Sequence, residues 1–495
     1  MLAAVVLEKT AEKAMKAAER CKKADLIELR LDSIRDLGPA TLKELIEKCG
    51  KPVIATNRKS NEGGFFRGNE KKRVGLLKTA IDLGADYADI EYSSQASSKF
   101  LIKNKKNTKI IVSYHNFKET PDSIKKTYGN IKSLNPDLIK IVTRANSAAD
   151  NFRIFDLINK ANDEKRKIVA FCMGHYGQFG RILGIILGSK IAYASIEEGN
   201  ESASGQLTLN ELISHYKLRK LNKNTKIAGL IGNPVAHSWS HIMHNEGFDK
   251  LRINAVYLKF QVDKLREFID YFKNLNSLGF SVTIPYKIEV MKYLDKIDEK
   301  AEEIGAVNTI VMRNKKLIGY NTDCQGAVMA LKEKVSLKGK RAVLLGAGGS
   351  TRAIAYGLME ENMNNITILN RTIKKAKDIA NDFGCGYGSL SDLKNVDYDM
   401  LINTTSVGMH PNADESIIPS NLIKKNSVVF DIVFNPSKTR LLKDAEKKSC
   451  TIIPGFEMLV QGAMLQFRLW TSKNAPEKAM KRKVLDYLKN AGNKN

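Results

Sequence analysis

The first 200 residues alternate between apolar segments and helical patterns, and this alternation limits the folds that the chain can adopt. Apolar segments of strand length occupy eight ranges, which are 2–7, 26–31, 53–57, 87–91, 110–115, 138–143, 168–173 and 191–196. Most of the intervals have helical periodicity, as in 11–21, 41–49, 74–83 and 150–161. Eight strand–helix units predict an α/β fold that begins with a parallel (β/α)8 barrel. An open, doubly wound sheet is the structural alternative.

Charged side chains occur at the ends of these predicted strands, where barrel enzymes carry their active sites. Glu28, Arg30 and Asp32 alternate along the second strand, so all three should point to one face. Because buried charges are unfavourable when they are isolated, these three side chains should either pair with opposite charges or hold a ligand.

Lys140 lies in the middle of the apolar sixth strand and is the strongest candidate for a nucleophile. Desolvation should lower the pKa of this amine, and a neutral amine can attack a ketone to form a Schiff base. His115 is the candidate proton-transfer group, with Glu91 to orient it. The alternative is a lysine whose amine reaches solvent between the helices.

Residues 1–215 resemble the type I 3-dehydroquinate dehydratases, a family of Schiff-base barrels. The matching segments are 27–30, 57–58 with 62–64, 89–91, 113–115, 140–142, 172–174 with 180–181, and 202–206. The resemblance implies that Lys140 forms an imine with the substrate ketone, that His115 transfers the proton, and that Glu91 supports His115. It also implies a set of residues that hold the carboxylate and hydroxyls of the substrate ring, namely Glu28, Arg30, Arg58, Arg181, Ser202 and Gln206.

A polar, basic segment at 216–226 separates this half from a second α/β half. Within the second half, an apolar strand at 341–345 is followed by a glycine turn at 346–351 and a helical pattern at 352–360. A further strand at 366–369 completes the first unit of a dinucleotide-binding fold, although a Gly-rich turn without a ligand is the alternative. Arg371 follows that strand where an NAD site has an acidic residue, so the cofactor is predicted to be NADP.

The second half resembles the shikimate dehydrogenases. The matching segments are 237–240 with 244–245, 281–287, 305–309, 319–323, 346–351, 370–372, 403–406 with 408–409, 431–434 and 455–459. The resemblance implies Lys287 and Asp323 as the catalytic pair. It implies that Ser238, Ser240, Thr283, Asn308 and Gln461 bind the substrate. It implies that the cofactor is bound by Gly346, Ala347, Gly348, Gly349, Ser350, Asn370, Arg371, Thr372, Thr404, Ser406, Ile432 and Gly455.

Three positions depart from that family. His241 replaces a proline, and Phe434 replaces a tyrosine that reaches the substrate. Gln461 stands one position earlier than the glutamine of the family, which rotates a helical side chain by about 100°. His237, His241 and His244 have spacings that could suit a metal, but no cysteine or carboxylate lies close in sequence, so no metal is expected.

These observations predict four regions: a dehydratase barrel (1–222), a substrate domain (223–325), an NADP-binding Rossmann domain (326–455) and C-terminal helices that return to the substrate domain (456–495). The expected function is dehydration of 3-dehydroquinate and reduction of the product to shikimate with NADPH. The alternatives are an inactive half kept as a scaffold, a preference for quinate or NAD, and nucleic-acid binding.

Composition bears on partners and compartment. The net charge is +26, but lysines alternate with acidic residues and no basic stripe with interleaved aromatics occurs, so no nucleic-acid partner is expected. The sequence contains no run of about 18 apolar residues, so no membrane span is expected. Residues 1–10 lack the charged start of a signal peptide. The six cysteines are scattered without a CxxC pair, which is typical of reduced thiols in a cytoplasmic protein. The partners that the two resemblances imply are small-molecule substrates.

Overall fold

The computed structural model describes residues 1–35, 37–363 and 365–492, so the end of the predicted C-terminal region lies outside the described residues. The chain forms two compact units. The first comprises Met1–Lys226 with Asn254–Tyr271, and the second comprises Ile227–Ile253 with Phe272–Asn495. In the described part of the chain, no helix is both long enough and apolar enough to span a bilayer.

The first 200 residues contain eight strands with helices between them. In chain order these are β1 (Leu2–Val6), α1 (Ala11–Arg20), β2 (Leu26–Arg30), α2 (Pro39–Lys48), β3 (Val53–Thr56), α3 (Glu70–Asp82), β4 (Tyr87–Glu91), α4 (Gln95–Lys103), β5 (Lys109–His115), α5 (Ile124–Ser133), β6 (Leu138–Arg144), α6 (Asp150–Asp163), β7 (Ile168–Met173), α7 (Gln178–Leu187) and β8 (Ala192–Ser195). The eight predicted strands are therefore confirmed, with small differences at their ends.

These strands form one parallel sheet in the order β7-β6-β5-β4-β3-β2-β1-β8. Because β8 pairs with β1, the sheet curls into a barrel, and the open doubly wound alternative is excluded. Among the described residues β7 and β8 share no ladder, so the barrel is nearly closed. Its interior is apolar towards the N-terminal ends of the strands, where Leu26, Tyr87 and Leu138 pack. Two residues further along the same strands, Glu28 and Lys140 occupy the interior.

The next part of the chain contains β9 (Lys226–Gly232), α8 (Ser240–Lys250), β10 (Ala255–Gln261), α9 (Leu265–Phe272), β11 (Ser277–Val282), β12 (Lys296–Ile297), α10 (Glu299–Ile304), β13 (Thr309–Arg313), β14 (Lys316–Tyr320) and α11 (Asp323–Lys332). Strands β9, β11, β13, β14 and β12 are neighbours in that order. The segment Asn254–Tyr271 belongs to the first compact unit, whereas the sequence-based division assigns it to the domain 223–325. Aromatic packing explains this assignment, because the Tyr271 ring stacks on Phe152 with centroids 4.0 Å apart.

The last part contains β15 (Arg341–Leu345), α12 (Gly349–Glu360), β16 (Asn365–Leu369), α13 (Ile373–Phe383), β17 (Gly386–Gly388), β18 (Met400–Asn403), β19 (Val428–Asp431), α14 (Arg440–Glu446), β20 (Thr451–Pro454), α15 (Gly455–Thr471) and α16 (Glu477–Gly492). Its six strands are parallel in the order β17-β16-β15-β18-β19-β20. The strand order reverses between β15 and β18, and such a reversal is where doubly wound sheets bind ligands. Helix α12 begins at Gly349, inside the glycine turn and earlier than the predicted start at residue 352.

Candidate active sites

One cavity lies in the barrel, at the C-terminal ends of its strands. Of the residues predicted for the first half, it gathers Glu28, Arg30, Arg58, His115, Lys140, Arg181, Ser202 and Gln206. Glu62, Phe117, Phe171, Met173 and Tyr193 also line it. Glu91 is the predicted residue that does not.

Lys140 is buried at the base of this cavity between two carboxylates. Its Nζ lies 2.9 Å from Asp89 Oδ2 and 3.3 Å from Glu28 Oε1, and 4.3 Å from the centre of the Tyr193 ring. Burial lowers the pKa of Lys140, but the Asp89 and Glu28 carboxylates raise it by more, so the net pKa lies above the ordinary value. The prediction of a lowered pKa is therefore wrong for the free protein, because it considered desolvation alone.

Asp89 connects Lys140 to a chain of buried charges. It forms an ion pair with Arg58 at 2.9 Å and accepts a hydrogen bond from Ser113 Oγ at 2.6 Å. Burial raises the pKa of Asp89, but the neighbouring cations Arg58 and Lys140 lower it by more, so the carboxyl stays ionised. Asp89 thus stabilises the ammonium form of Lys140 and fixes the position of Nζ in the cavity.

His115 faces the same cavity and is neutral. Burial and the nearby cations Arg58 and Lys140 hold the pKa of His115 well below its ordinary value. Its Nδ1 lies 3.5 Å from Glu62 Oε2, and Glu62 Oε1 accepts a hydrogen bond from Ser93 Oγ at 2.6 Å. Burial raises the pKa of Glu62. A neutral imidazole next to a carboxyl group can act as a general base.

Glu91 has a different position from the one predicted. Its Oε2 pairs with Arg73 Nη1 at 2.5 Å, and its Oε1 accepts from the backbone N–H of Lys59 at 2.9 Å. Arg58 Nη1 lies 3.4 Å from the same Oε1. Glu62, and not Glu91, is the carboxylate beside His115, so the expected contact between Glu91 and His115 is corrected here. The sequence contains a signal for Glu62, because this residue lies in the segment 62–64 that matches the dehydratase family.

Arg181 is a buried cation without a carboxylate. Its side chain is 8% exposed, and its guanidinium lies 4.5 Å from the centre of the Phe171 ring. None of the ion pairs in the described ranges involves Arg181, and burial lowers its pKa to about 10. A desolvated guanidinium that faces a cavity favours an anionic ligand, and a carboxylate is its best geometric match.

Three further predicted residues of the barrel form ion pairs or hydrogen bonds within the protein. Arg30 pairs with Asp32 at 2.7 Å in the turn after β2. Ser202 Oγ donates to Gln206 Oε1 at 3.0 Å, which holds the loop that carries both side chains over the cavity.

A second cavity lies in the second unit. It gathers catalytic, substrate-binding and cofactor-binding residues that the dehydrogenase resemblance implies, namely Ser238, Ser240, Thr283, Lys287, Asn308, Asp323, Ser350, Ser406, Ile432 and Gly455. Phe434 also lines it and packs on Trp239 with ring centroids 5.2 Å apart. The cavity therefore joins the candidate catalytic pair to the glycine turn.

Lys287 and Asp323 form an ion pair in this cavity. Lys287 Nζ lies 2.5 Å from Asp323 Oδ2 and also donates to Ser350 Oγ at 2.9 Å. Asp323 is the first residue of α11, so its carboxylate lies at a helix N-terminus, where the helix dipole favours negative charge. An ammonium held this way can donate a proton to a carbonyl oxygen.

Hydroxyl and amide groups surround the pair. Asn308 Nδ2 donates to Thr322 Oγ1 at 3.0 Å, and Asn308 Oδ1 accepts from the backbone N–H of Thr322 at 2.8 Å. Ser238 Oγ donates to Ser240 Oγ at 3.1 Å. These short polar side chains suit a hydroxylated, anionic ligand.

Gln461 points away from this cavity, and the prediction that it binds substrate is corrected. Its Nε2 donates to Glu333 Oε1 at 3.0 Å. Gln466 lines the cavity instead, accepting from Ser281 Oγ at 2.8 Å and donating to Thr309 Oγ1 at 3.2 Å. The two glutamines lie on different faces of α15, because five residues correspond to a rotation of about 140°. Gln466 was missed, although it lies one helical turn after Gly462, where the family has its glutamine.

The glycine turn fits a dinucleotide. Gly346 has φ +121°, a conformation that L side chains rarely adopt, and a Cβ at Gly349 would lie 3.1 Å from Lys287 Cβ. Thr351 stands where a third glycine is usual, and its buried hydroxyl accepts from Gly348 N–H and lies 2.8 Å from Thr404 Oγ1. The N-terminus of α12 supplies free N–H groups for a pyrophosphate. The other predicted turn residues, Ala347 and Gly348, lie between these.

The end of β16 carries exposed basic side chains. Arg371 and Thr372 are exposed, as are Lys374 and Lys375 at the start of α13, and Asn370 Nδ2 donates to the carbonyl of Thr372 at 3.0 Å. These cations suit the 2′-phosphate of NADP. Thr404 is hydrogen-bonded inside the turn, and its neighbour Thr405 lines the cavity.

The three histidines do not converge on a metal site. His241 and His244 are buried in α8, whereas His237 lines the cavity and lies 5.6 Å from the His410 ring. Within the part of the chain that the structure describes, no group of three or more possible ligands could hold a metal ion.

Family models match four consecutive segments of the chain. Residues 2–223 match the type I 3-dehydroquinase model. Residues 230–310 match the shikimate dehydrogenase substrate binding domain, and residues 328–436 match the shikimate / quinate 5-dehydrogenase model. Residues 455–485 match the shikimate 5′-dehydrogenase C-terminal domain.

Known proteins match both halves. A bifunctional 3-dehydroquinate dehydratase/shikimate dehydrogenase of Arabidopsis thaliana, described as chloroplastic, is 37% identical over 480 residues, covering 92% of this chain and 79% of that protein. A shikimate dehydrogenase (NADP(+)) of Methanococcus aeolicus is 43% identical over 279 residues, covering 54% of this chain and all of that protein (100%). A crystal structure of shikimate dehydrogenase in complex with NADP+ is 44% identical with a TM-score of 0.50, covering 54% of this chain and 96% of that one.

Proposed function

The chain belongs to the family of bifunctional 3-dehydroquinate dehydratases/shikimate dehydrogenases, and from this premise we propose that it catalyses both reactions. The first half dehydrates 3-dehydroquinate to 3-dehydroshikimate. The second half reduces 3-dehydroshikimate to shikimate with NADPH. Its substrates are small carboxylated and hydroxylated rings.

In the dehydratase, Lys140 is the nucleophile. The Nζ–carbon bond forms as the ketone oxygen leaves as water with two of the three ammonium hydrogens, which produces a protonated imine. The positively charged nitrogen of the protonated imine withdraws electrons better than a ketone oxygen, so His115 can remove a proton from the adjacent carbon. His115 then returns the proton to the departing hydroxyl, which leaves as water, and hydrolysis of the imine releases the product.

The burial of Arg181 without a carboxylate partner is the observation that best supports the dehydratase function. A buried guanidinium that pairs with no carboxylate is unfavourable, and an anionic substrate bound beside it compensates its charge. The carboxylate of dehydroquinate supplies this charge. Arg58 is already paired with Asp89 and Glu91, so its role is to orient Asp89.

In the dehydrogenase, Lys287 is the proton donor. The Lys287 N–H bond breaks as a bond forms to the ketone oxygen, and Asp323 keeps the ammonium in place. NADPH bound at the glycine turn supplies the hydride. Asn308, Thr283, Ser238 and Ser240 hold the substrate carboxylate and hydroxyls, with Gln466 behind Ser281.

We propose the cytoplasm as the compartment. The cysteines Cys21, Cys49, Cys172, Cys324, Cys385 and Cys450 are all free thiols, which suits a reducing environment.

The test is to incubate the protein with 3-dehydroquinate and NADPH and to measure shikimate by chromatography. Wild-type protein should form shikimate. Lys140→Met should abolish product formation from dehydroquinate and retain reduction of added dehydroshikimate, and Lys287→Met should stop the sequence at dehydroshikimate. Lys160→Met, at an exposed position of α6, is the matched control. Absence of either step in the wild type would refute that half of the proposal. Faster turnover with quinate than with shikimate, or with NAD than with NADP, would change the assigned substrate or cofactor.

A further inference from the structure

Lys287 is held from two sides by different parts of the second unit. Asp323 Oδ2 lies 2.5 Å from Nζ on one side, and Ser350 Oγ lies 2.9 Å from Nζ on the other. Ser350 belongs to the glycine turn and is the second residue of α12, whereas Asp323 begins α11. The ammonium group therefore has one anchor from the substrate region and one from the cofactor-binding turn.

The alkyl stem of Lys287 also packs directly on this turn. A Cβ added at Gly349 would lie 3.1 Å from Lys287 Cβ and 3.4 Å from Cδ. The absence of a side chain at position 349 therefore allows the turn to approach the lysine closely. Contact along the stem and a hydrogen bond at its tip together limit where Nζ can move.

The number of donors on the ammonium explains why a second anchor matters. A lysine ammonium has three N–H donors on a flexible four-carbon stem. Asp323 and Ser350 engage two of them, which leaves one for a ligand in the cavity that all three residues line. With Asp323 alone, the ammonium can rotate about the ion pair and aim its free N–H elsewhere. Loss of orientation lowers the rate of a proton transfer even when the donor remains present.

We propose that Ser350 is a positioning residue for Lys287, so that the cofactor-binding turn orients the proton donor of the reduction. This inference rests on the proposed dehydrogenase function. It assigns Ser350 a role beyond cofactor binding: its hydroxyl fixes the direction of the lysine N–H that reaches the substrate ketone.

The test compares Ser350→Ala, which removes the hydroxyl, with Ser350→Thr, which keeps it. Ser420→Ala, at an exposed position of the same unit, is the matched control. We expect Ser350→Ala to lower kcat for dehydroshikimate reduction about tenfold, or about 1.4 kcal/mol in the barrier. We also expect the D2O isotope effect on kcat to increase, because proton transfer becomes the slower part of the step. Ser350→Thr should restore both values.

Two results would overturn the proposal. One is an unchanged kcat and D2O isotope effect in Ser350→Ala. The other is a rise confined to the KM for NADPH, since that result would make Ser350 a cofactor contact alone. Fluorescence titration with NADPH measures cofactor affinity separately.

A measurement that needs no turnover separates this inference from the proposed function. Trinitrobenzenesulfonate labels exposed amines, and peptide mass spectrometry reports the labelling rate of Lys287. We expect labelling to be several-fold faster in Ser350→Ala than in the wild type and in Ser420→Ala, because the amine is less restrained. Equal rates would refute the role of Ser350 even in a protein that reduces dehydroshikimate. A wild type that does not reduce dehydroshikimate would refute the dehydrogenase function. The labelling rates would still show whether Ser350 restrains the Lys287 amine.

Discussion

The carboxylate of Glu62 lies 3.5 Å from Nδ1 of His115, and it comes from a loop that follows β3 rather than from a barrel strand. The pair brings a carboxyl group with a raised pKa to an imidazole with a lowered pKa. Such a pair can orient the ring and accept charge as the proton moves. The relationship separates the role of Glu62 from that of Glu91, which has its own buried partner.

Replacing Glu62 should affect catalysis and leave stability unchanged. We expect Glu62→Gln to lower kcat of the dehydratase about tenfold, or about 1.4 kcal/mol in the barrier, because His115 loses its orienting carboxylate. Spectrophotometry of dehydroshikimate formation measures this effect, and the melting temperature is the control. Wild-type turnover in Glu62→Gln would remove Glu62 from the mechanism.

Replacing Glu91 should instead destabilise the barrel. Glu91→Gln removes one of the two carboxylates that pair with the fully buried Arg73, which keeps only the more exposed Glu70. Losing a charge-assisted buried contact should destabilise the protein by about 1.5–3 kcal/mol. Thermal unfolding should show a clear fall in the melting temperature. A variant with an unchanged melting temperature and low activity would return Glu91 to a catalytic role.

The lowered pKa of His115 predicts how the dehydratase responds to acid. The neutral imidazole is the active base, and it persists until the pH falls through its folded pKa, which lies below the ordinary 6.5. The kcat/KM of the dehydratase should therefore stay nearly constant as the pH falls from 8 to about 6.5 and should decline only at lower pH. If kcat/KM instead fell to half of its maximum at or above pH 6.5, the lowered pKa of His115 would be contradicted.

Arg181 and Arg58 should respond differently to the same substitution. Arg181→Met removes a buried charge that no ion pair compensates, so the melting temperature should stay the same or rise. The KM for dehydroquinate should rise roughly 100-fold, because a charge-assisted contact contributes about 1.5–3 kcal/mol. Arg58→Met should lower the melting temperature, because Asp89 and Glu91 lose their shared partner. Equal melting temperatures in the two variants would refute the distinction.

Lys140 should be trapped covalently. Borohydride added with dehydroquinate reduces the imine, and mass spectrometry should locate the added mass on the peptide that contains Lys140. Lys140→Met should show no adduct, whereas Lys160→Met should show the wild-type adduct. An adduct on another lysine would move the nucleophile away from β6.

The glutamines of α15 offer a comparison within one helix. Gln466→Ala removes the partner of Ser281 and Thr309, so we expect kcat/KM of the reduction to fall about tenfold, or about 1.4 kcal/mol. Gln461→Ala removes a contact with Glu333 outside the cavity and should leave the reduction unchanged. A larger loss of kcat/KM in Gln461→Ala than in Gln466→Ala would support Gln461 as the substrate-binding glutamine.

The barrel could be predicted from sequence because its strands are short apolar segments that alternate with helices. The pKa of Lys140 could not, because its cause lies far away in the chain. Desolvation can be inferred from the apolar neighbours of Lys140 in β6, but Asp89 and Glu28 stand 51 and 112 residues away. Only the closure of the sheet brings these two carboxylates to the amine.

The misassignment of Glu91 has a similar origin. Glu91 lies at the end of β4, which neighbours the strand β5 that ends at His115, so its position favours a contact with the ring. The Glu91 carboxylate pairs with Arg73, which lies on α3. This pair forms only when α3 packs on the barrel. At Gln461, by contrast, the one-residue displacement along the helix already indicated a different face.

Thr351 has a consequence for how the cofactor binds. Its hydroxyl joins Gly348 to Thr404, and Thr404 in turn donates to the carbonyl of Leu345. The glycine turn is thus tied to β15 by side chains of the protein itself, so its conformational entropy is lost when the chain folds. The free energy of dinucleotide binding is then not reduced by ordering of the loop. A glycine at position 351 would transfer that entropy loss from folding to binding, and would weaken affinity by removing only a fully buried side chain.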